Sequence, residues 1–328
     1  MRPRSVLLVA GHEIAERARS RAYLLSTAVL VLAACVALAV PHLLRSADRA
    51  GDAPVAAHAA DARSGAAKSP DGARSPDGGA GQVSSASRQL ATDAQAGRNL
   101  AYGAAILLYV ALIFAGTWVG SGIVEEKSSR VVEVLLSALR PAELLCGKLI
   151  GIGVVAFAQV AAAATGAATV AIAIGDLHLP HAISWTALMV VGWFVLGYAL
   201  YACAFAVAAS LVSRQEDVPA VTTPLNVLMA AAFLTAMKVA EQPDGLTAHV
   251  LSFVPPFSPL LMPVRAAAGE LPASEQLLAV TLCLATTVVL LRIAVRVYGG
   301  FALRFGAPTR LRSALRAGTA GRSRQGAA

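Results

Sequence analysis

Glu125-Glu126-x-x-x-Arg130 sets two carboxylates and a guanidinium at helical spacing, an arrangement that serves proteolysis inside membranes when FxxxH and HxxxN/D motifs complete the catalytic set. The histidines here are His12, His42, His58, His178, His181 and His249. None has Phe four residues before it, none has Asn or Asp four residues after it, and HExxH is absent, so that chemistry is excluded. Gly147-Lys148 runs into Leu149 and lacks the spaced glycine of GxxxxGK[ST], so the chain cannot cradle ATP phosphates by that route. Cys35, Cys146, Cys203 and Cys283 form no CxxC pair and sit in or beside apolar runs, as small buried hydrophobes do. The residues point to no enzyme, no metal site and no cofactor held by this chain.

The Glu125–Leu136 segment gains its meaning from what flanks it. It is charged and helix-prone, and it lies between two long apolar runs. A central Asp, Lys or Arg in lipid costs roughly 2.5–3.5 kcal/mol on insertion scales, so the segment belongs on a membrane surface. Hydrophobic residues make up 57% of the chain and charged residues 14%, against about 25% charged in soluble domains. An all-α polytopic membrane protein follows. Six apolar stretches can cross about 30 Å of hydrocarbon: Ala22–Leu44, Ala101–Val124, Leu144–Ile174, Ile183–Val212, Val218–Ala240 and Gln276–Val297. The net charge of +8 does not imply nucleic acid, because the basic residues gather at span ends and in the tail. Arg2, Arg4, Arg17, Arg19, Arg21, Lys127, Arg130, Arg140, Lys148, Arg214, Arg292 and Arg296 fall on one side, while short segments of the other hold Lys238 and Arg265. This orients both termini to the cytoplasm of a plasma-membrane protein. The first span reads as uncleaved, since Glu13 and Glu16 precede it and its apolar run exceeds a signal h-region.

The remaining divisions follow from composition. Residues 1–21 mix Val6, Leu7, Leu8, Val9 and Ile14 with charges and form an N-terminal interfacial segment. Residues 45–98 repeat Ser-Pro-Asp-Gly at 69–72 and 75–78, hold almost no bulky apolar residue, and predict a disordered outer loop. Residues 99–305 carry the other five spans and a cytoplasmic amphipathic helix within 125–140, with Val131, Leu135, Ala138 and Leu139 on one face and Pro141 as its stop. Residues 306–328 are a basic cytoplasmic tail. Gly116-x-x-x-Gly120 and Gly147-x-x-x-Gly151 allow close helix approach, either within one subunit or between two.

The block Val124–Leu136, followed by Leu139-Arg140-Pro141 and Leu145-Cys146-Gly147-Lys148, resembles permease subunits of type-2 ATP-binding-cassette exporters, and most nearly their NatB-like sodium-efflux branch. Gly11–Arg17, Ser213–Pro224, Pro256–Pro259 and Met262–Arg265 resemble further blocks of that family in order and spacing. The resemblance implies an export subunit that pairs with a second permease, as homo- or heterodimer. A cytoplasmic ATPase subunit would bind ATP and Mg²⁺. It makes the 125–140 helix a coupling helix, with Glu125, Glu126, Lys127, Arg130 and Glu133 as contacts for the ATPase.

Polar residues at membrane depth are the other candidates. Gln159 in span three and Thr222 and Asn226 in span five either hydrogen-bond neighbouring helices or line a substrate path. No carboxylate falls mid-span, so sodium, an amphiphile, a lipid and a peptide all remain open as cargo. The competing reading is a non-transporting scaffold or sensor that docks a cytoplasmic partner.

Overall fold

The protein is described by a computed structural model over residues 3–21, 23–36, 78–128, 140–174, 180–268 and 271–302. Every regular element among the described residues is helical. α1 is Pro3–Ala18 and α2 is Tyr23–Val36, and the two meet at 74°. The remaining helices are α3 (Gly78–Ser128), α4 (Pro141–Ile174), α5 (Pro180–Ser210), α6 (Val218–Glu241), α7 (Leu246–Ser252), α8 (Ser258–Ala268) and α9 (Ala273–Ala302). Gly97–Glu126, Pro141–Ala167, Leu188–Ser210, Gln215–Glu241 and Ala273–Gly300 are long and apolar enough to cross a membrane, and the bent α1–α2 pair makes up to six such units.

The apolar runs become helices because lipid offers no partner for backbone polar groups, and an α-helix satisfies them within the segment. Helix boundaries follow local chemistry. Pro141 opens α4, where the absent N–H would have had no partner in any case, and Arg140 O accepts from Glu143 N at 2.9 Å and Leu144 N at 3.2 Å. α6 begins beside Pro219 and continues through Pro224 without a break.

α3 differs from the expectation. It begins at Gly78, inside the stretch read as an unstructured outer loop, and runs 51 residues. Beyond Pro76 no proline interrupts it, and Ala, Gln and Arg, strong helix formers, recur through 80–98. Residues 45–77 lie outside the described residues, as do 129–139 of the expected coupling helix and the tail from 303. Glu125–Ser128 continue α3 rather than opening a separate helix.

α3 is the hub and packs on α4, α5, α6 and α8. Its approach to α5 depends on Gly116, where a Cβ would stand 2.6 Å from the Phe205 ring, and on Gly120, which faces Phe205, Ala209 and Thr222. This GxxxG pair therefore serves packing within the chain. α8 holds Pro259 and Pro263 and is buried from Ser258 to Arg265 among α3, α5 and α6, which explains how a short, proline-bearing helix survives here. By contrast, only 22% and 17% of the α6 and α9 spans are buried within the chain, against 61% for α4 and α5. The outward faces of α6 and α9, with Val227, Leu234, Leu278 and Val289 exposed, suit lipid or a second subunit.

Candidate functional site

Four charged side chains converge where α1 crosses the end of α3 and the start of α4. Lys148 Nζ lies 2.7 Å from Glu126 Oε1 and 3.4 Å from Glu13 Oε2. Arg17 Nε lies 2.6 Å from Glu13 Oε1. The Arg17 guanidinium also donates to Trp118 O at 3.3 Å and stands 5.7 Å from the Trp118 ring centroid. Each helix brings what its sequence allows. Glu13 and Arg17 are i,i+4 on α1, Glu126 ends the α3 span, and Lys148 sits two turns into α4.

Burial makes this network consequential. The side chains of Lys148 and Glu13 are 4% and 7% exposed, and Glu126 keeps 26%. Two carboxylates and two cations balance, so no net charge is stranded. Buried pairs of this kind barely offset their own desolvation when intact, but removing one partner costs about 3–5 kcal/mol. The close approach of α1 rests on the second GxxxG pair. A Cβ on Gly147 would lie 2.7 Å from Val9 Cβ, one on Gly151 would lie 2.7 Å from Glu13 Cβ, and one on Gly122 would lie 2.6 Å from Arg17 Nη2. This pair too is spent within the chain.

The network lies at the end of α3 and the start of α4, and the described residues that flank 129–139 in the chain are Ser128 and Arg140. The turn before α6 reaches the same place, because Gln215 Nε2 donates to Ser121 O at 3.0 Å. Glu125 is exposed beside the network, and Lys127 lies within α3. Arg130 and Glu133 lie outside the described residues. The arrangement ties three helices together. Among the described residues no three His, Cys, Asp or Glu side chains are grouped to hold a metal ion.

The membrane-depth candidates fall apart in space. Gln159 Nε2 donates to Ser26 Oγ at 2.7 Å, Thr27 Oγ1 at 2.8 Å and Tyr23 O at 3.3 Å. The Ser26 and Thr27 hydroxyls donate in turn to Tyr23 O, which leaves their lone pairs for the amide. Gln159 thereby fastens α2 to α4. Thr222 is buried and donates to Val218 O at 2.9 Å. Asn226, one turn along α6, has its Oδ1 buried without a hydrogen-bond partner among the described residues.

Sequence reasoning treated Glu13, Arg17 and Lys148 as topology signals and missed their convergence. The signal available was Lys148 itself, a charge inside an apolar run, which by default seeks a partner. A second triad was also missed: buried Arg265 on α8 lies 2.8 Å from Glu275 of α9, and His249 of α7 lies 3.2 Å from the same guanidinium.

The described residues form an all-α bundle with five or six candidate membrane spans and a buried charge lock at one end. Residues 80–296 match the family described as ABC-2 family transporter protein, and the chain belongs to that family. It is 33% identical over 219 residues to uncharacterized protein YhaP of Bacillus subtilis (strain 168), which covers 63% of this chain and 52% of the relative. It is 25% identical over 199 residues to uncharacterized protein MJ1024 of Methanocaldococcus jannaschii, covering 61% of this chain and 48% of the relative. The chain thus spans about half the length of the curated relatives it matches.

Proposed function

We propose that this chain is the membrane-spanning permease subunit of an ATP-binding-cassette exporter in the plasma membrane. It would pair with a second permease and be driven by a cytoplasmic ATPase that binds ATP and Mg²⁺. The observation that carries the reading is the charge lock at the end of α3 and the start of α4, the two helices that residues 129–139 join in the chain. A push on that segment reaches α3 at Ser128 and α4 at Arg140, and Lys148–Glu126 and Lys148–Glu13 pass it to α1. Family membership supports the ATPase as the source of the push. In this reading Glu125, Lys127, Arg130 and Glu133 meet the ATPase, while Glu126 supports them from the α3 end. Asn226 and Thr222 share a face of α6 and border the cargo path, and the unpaired Oδ1 of Asn226 is the polar group there with capacity to spare. The NatB-like sodium-efflux branch is supported by the Val124–Leu136 resemblance.

Charge reversal tests the reading at Glu125 rather than Glu126, because Glu126 holds Lys148. The E125R/R130E pair should insert and fold normally. Like-charge contact costs several kcal/mol, so stimulation of the co-purified ATPase should fall at least about tenfold. Wild-type stimulation in that variant, or purification of the chain without any nucleotide hydrolase, would overturn the assignment.

A further inference from the structure

We propose that the groove between α4, α5 and α9 is a binding site for one anionic phospholipid. The groove has a volume of about 470 Å³, and its wall includes Cys146, Val154, Phe157, Phe194, Tyr198 and Leu291. Val154 is 49% exposed and Phe157 40%, so the wall continues directly into the lipid-facing surface. The site requires only that the chain spans a bilayer and is independent of the exporter reading.

Charge at one end of the groove selects the occupant. Arg292, Arg296 and Gly299 are spaced i, i+4 and i+7 and make one stripe on α9. At its foot, a Cβ on Gly299 would meet Pro141 Cβ at 3.6 Å, which brings the stripe to the start of α4 beside Arg140. Arg140, Arg292 and Arg296 are all exposed, and no ion pair engages them among the described residues. Arg292 follows Leu291 of the groove wall directly and lies within the Ala273–Gly300 span, where a cation needs an anionic partner or a route to the interface. An apolar slot continuous with lipid and rimmed at one end by unpaired arginines matches an acyl chain below an anionic headgroup.

Native mass spectrometry of the full chain, titrated with phosphatidylglycerol or with phosphatidylcholine of the same acyl chains, tests the site. One phosphatidylglycerol per chain should be retained preferentially. R292Q/R296Q should weaken its retention roughly 25-fold, about fivefold per arginine, and leave phosphatidylcholine unchanged. V154W, which fills the groove from an exposed position, should weaken both lipids. Circular dichroism and elution volume confirm that each variant is folded. Equal retention of the two lipids, or wild-type phosphatidylglycerol retention in either variant, would overturn the site. So would a photo-crosslinker at position 154 that captures a second copy of the chain instead of lipid.

Discussion

Lys148 holds two carboxylates at once, one from each neighbouring helix, and shares Glu13 with Arg17. Replacing Lys148 by Met keeps length and apolar volume but leaves two acids with Arg17 as their one remaining cation in the network, Glu13 almost wholly buried. K148M should lower stability by about 3–5 kcal/mol, visible as a lower midpoint in thermal unfolding followed by tryptophan fluorescence. Adding E126Q to K148M should recover most of the loss, because Glu13 and Arg17 then balance as one pair and the amide requires no counter-charge. A melting midpoint that ignores K148M would show the lock to be ornamental. The convergence of residues 13, 126 and 148 was not legible in the chain, since their separations carry no periodicity and only the α1–α4 crossing joins them. The lone lysine in an apolar run was legible, and with it the need for some acid nearby.

At the scale of elements, α1 is held to the bundle by a strip of small residues as much as by charge. Gly151 lies under Glu13 and Ala10, with Ala10 O 2.9 Å from where its Cβ would be. G151L should therefore lift α1 from α4 while the other spans stay packed. Limited proteolysis between α1 and α2 would accelerate at least about tenfold, which corresponds to a local loss of 1.4 kcal/mol or more. An unchanged cleavage rate would mean that α1 has no need of this contact. Most helices were legible as apolar runs: the expected Val218–Ala240 is α6 with one further residue, and Leu144–Ile174 is α4 extended back to its proline. Three parts were not: α7, α8 and the outer extension of α3. The outer extension of α3 holds its helix by propensity where the apolar signal has stopped, and a reading tuned to hydropathy stops there too. Pro255, Pro256, Pro259 and Pro263 suggest a rigid, broken segment or a re-entrant turn, and α8 persists as a helix there because α3, α5 and α6 enclose it.

For the whole molecule, the reading of orientation makes its own prediction. With native cysteines replaced, E125C should react with a membrane-impermeant maleimide only from the cytoplasmic side. Q242C, in the exposed turn after α6, should react only from the other. External labelling of position 125 in intact cells would invert the molecule and remove the ATPase from reach. The length of α3 adds a property that no single contact describes. At 51 residues it is a rod of about 77 Å, pinned near Ser128 by the lock and free of breaks as far as Gly78. A tilt of about 10° around mid-membrane would sweep its far tip through roughly 9 Å. The molecule therefore carries a built-in pointer, and a fluorophore placed near its outer end would read small events at the opposite surface on a magnified scale.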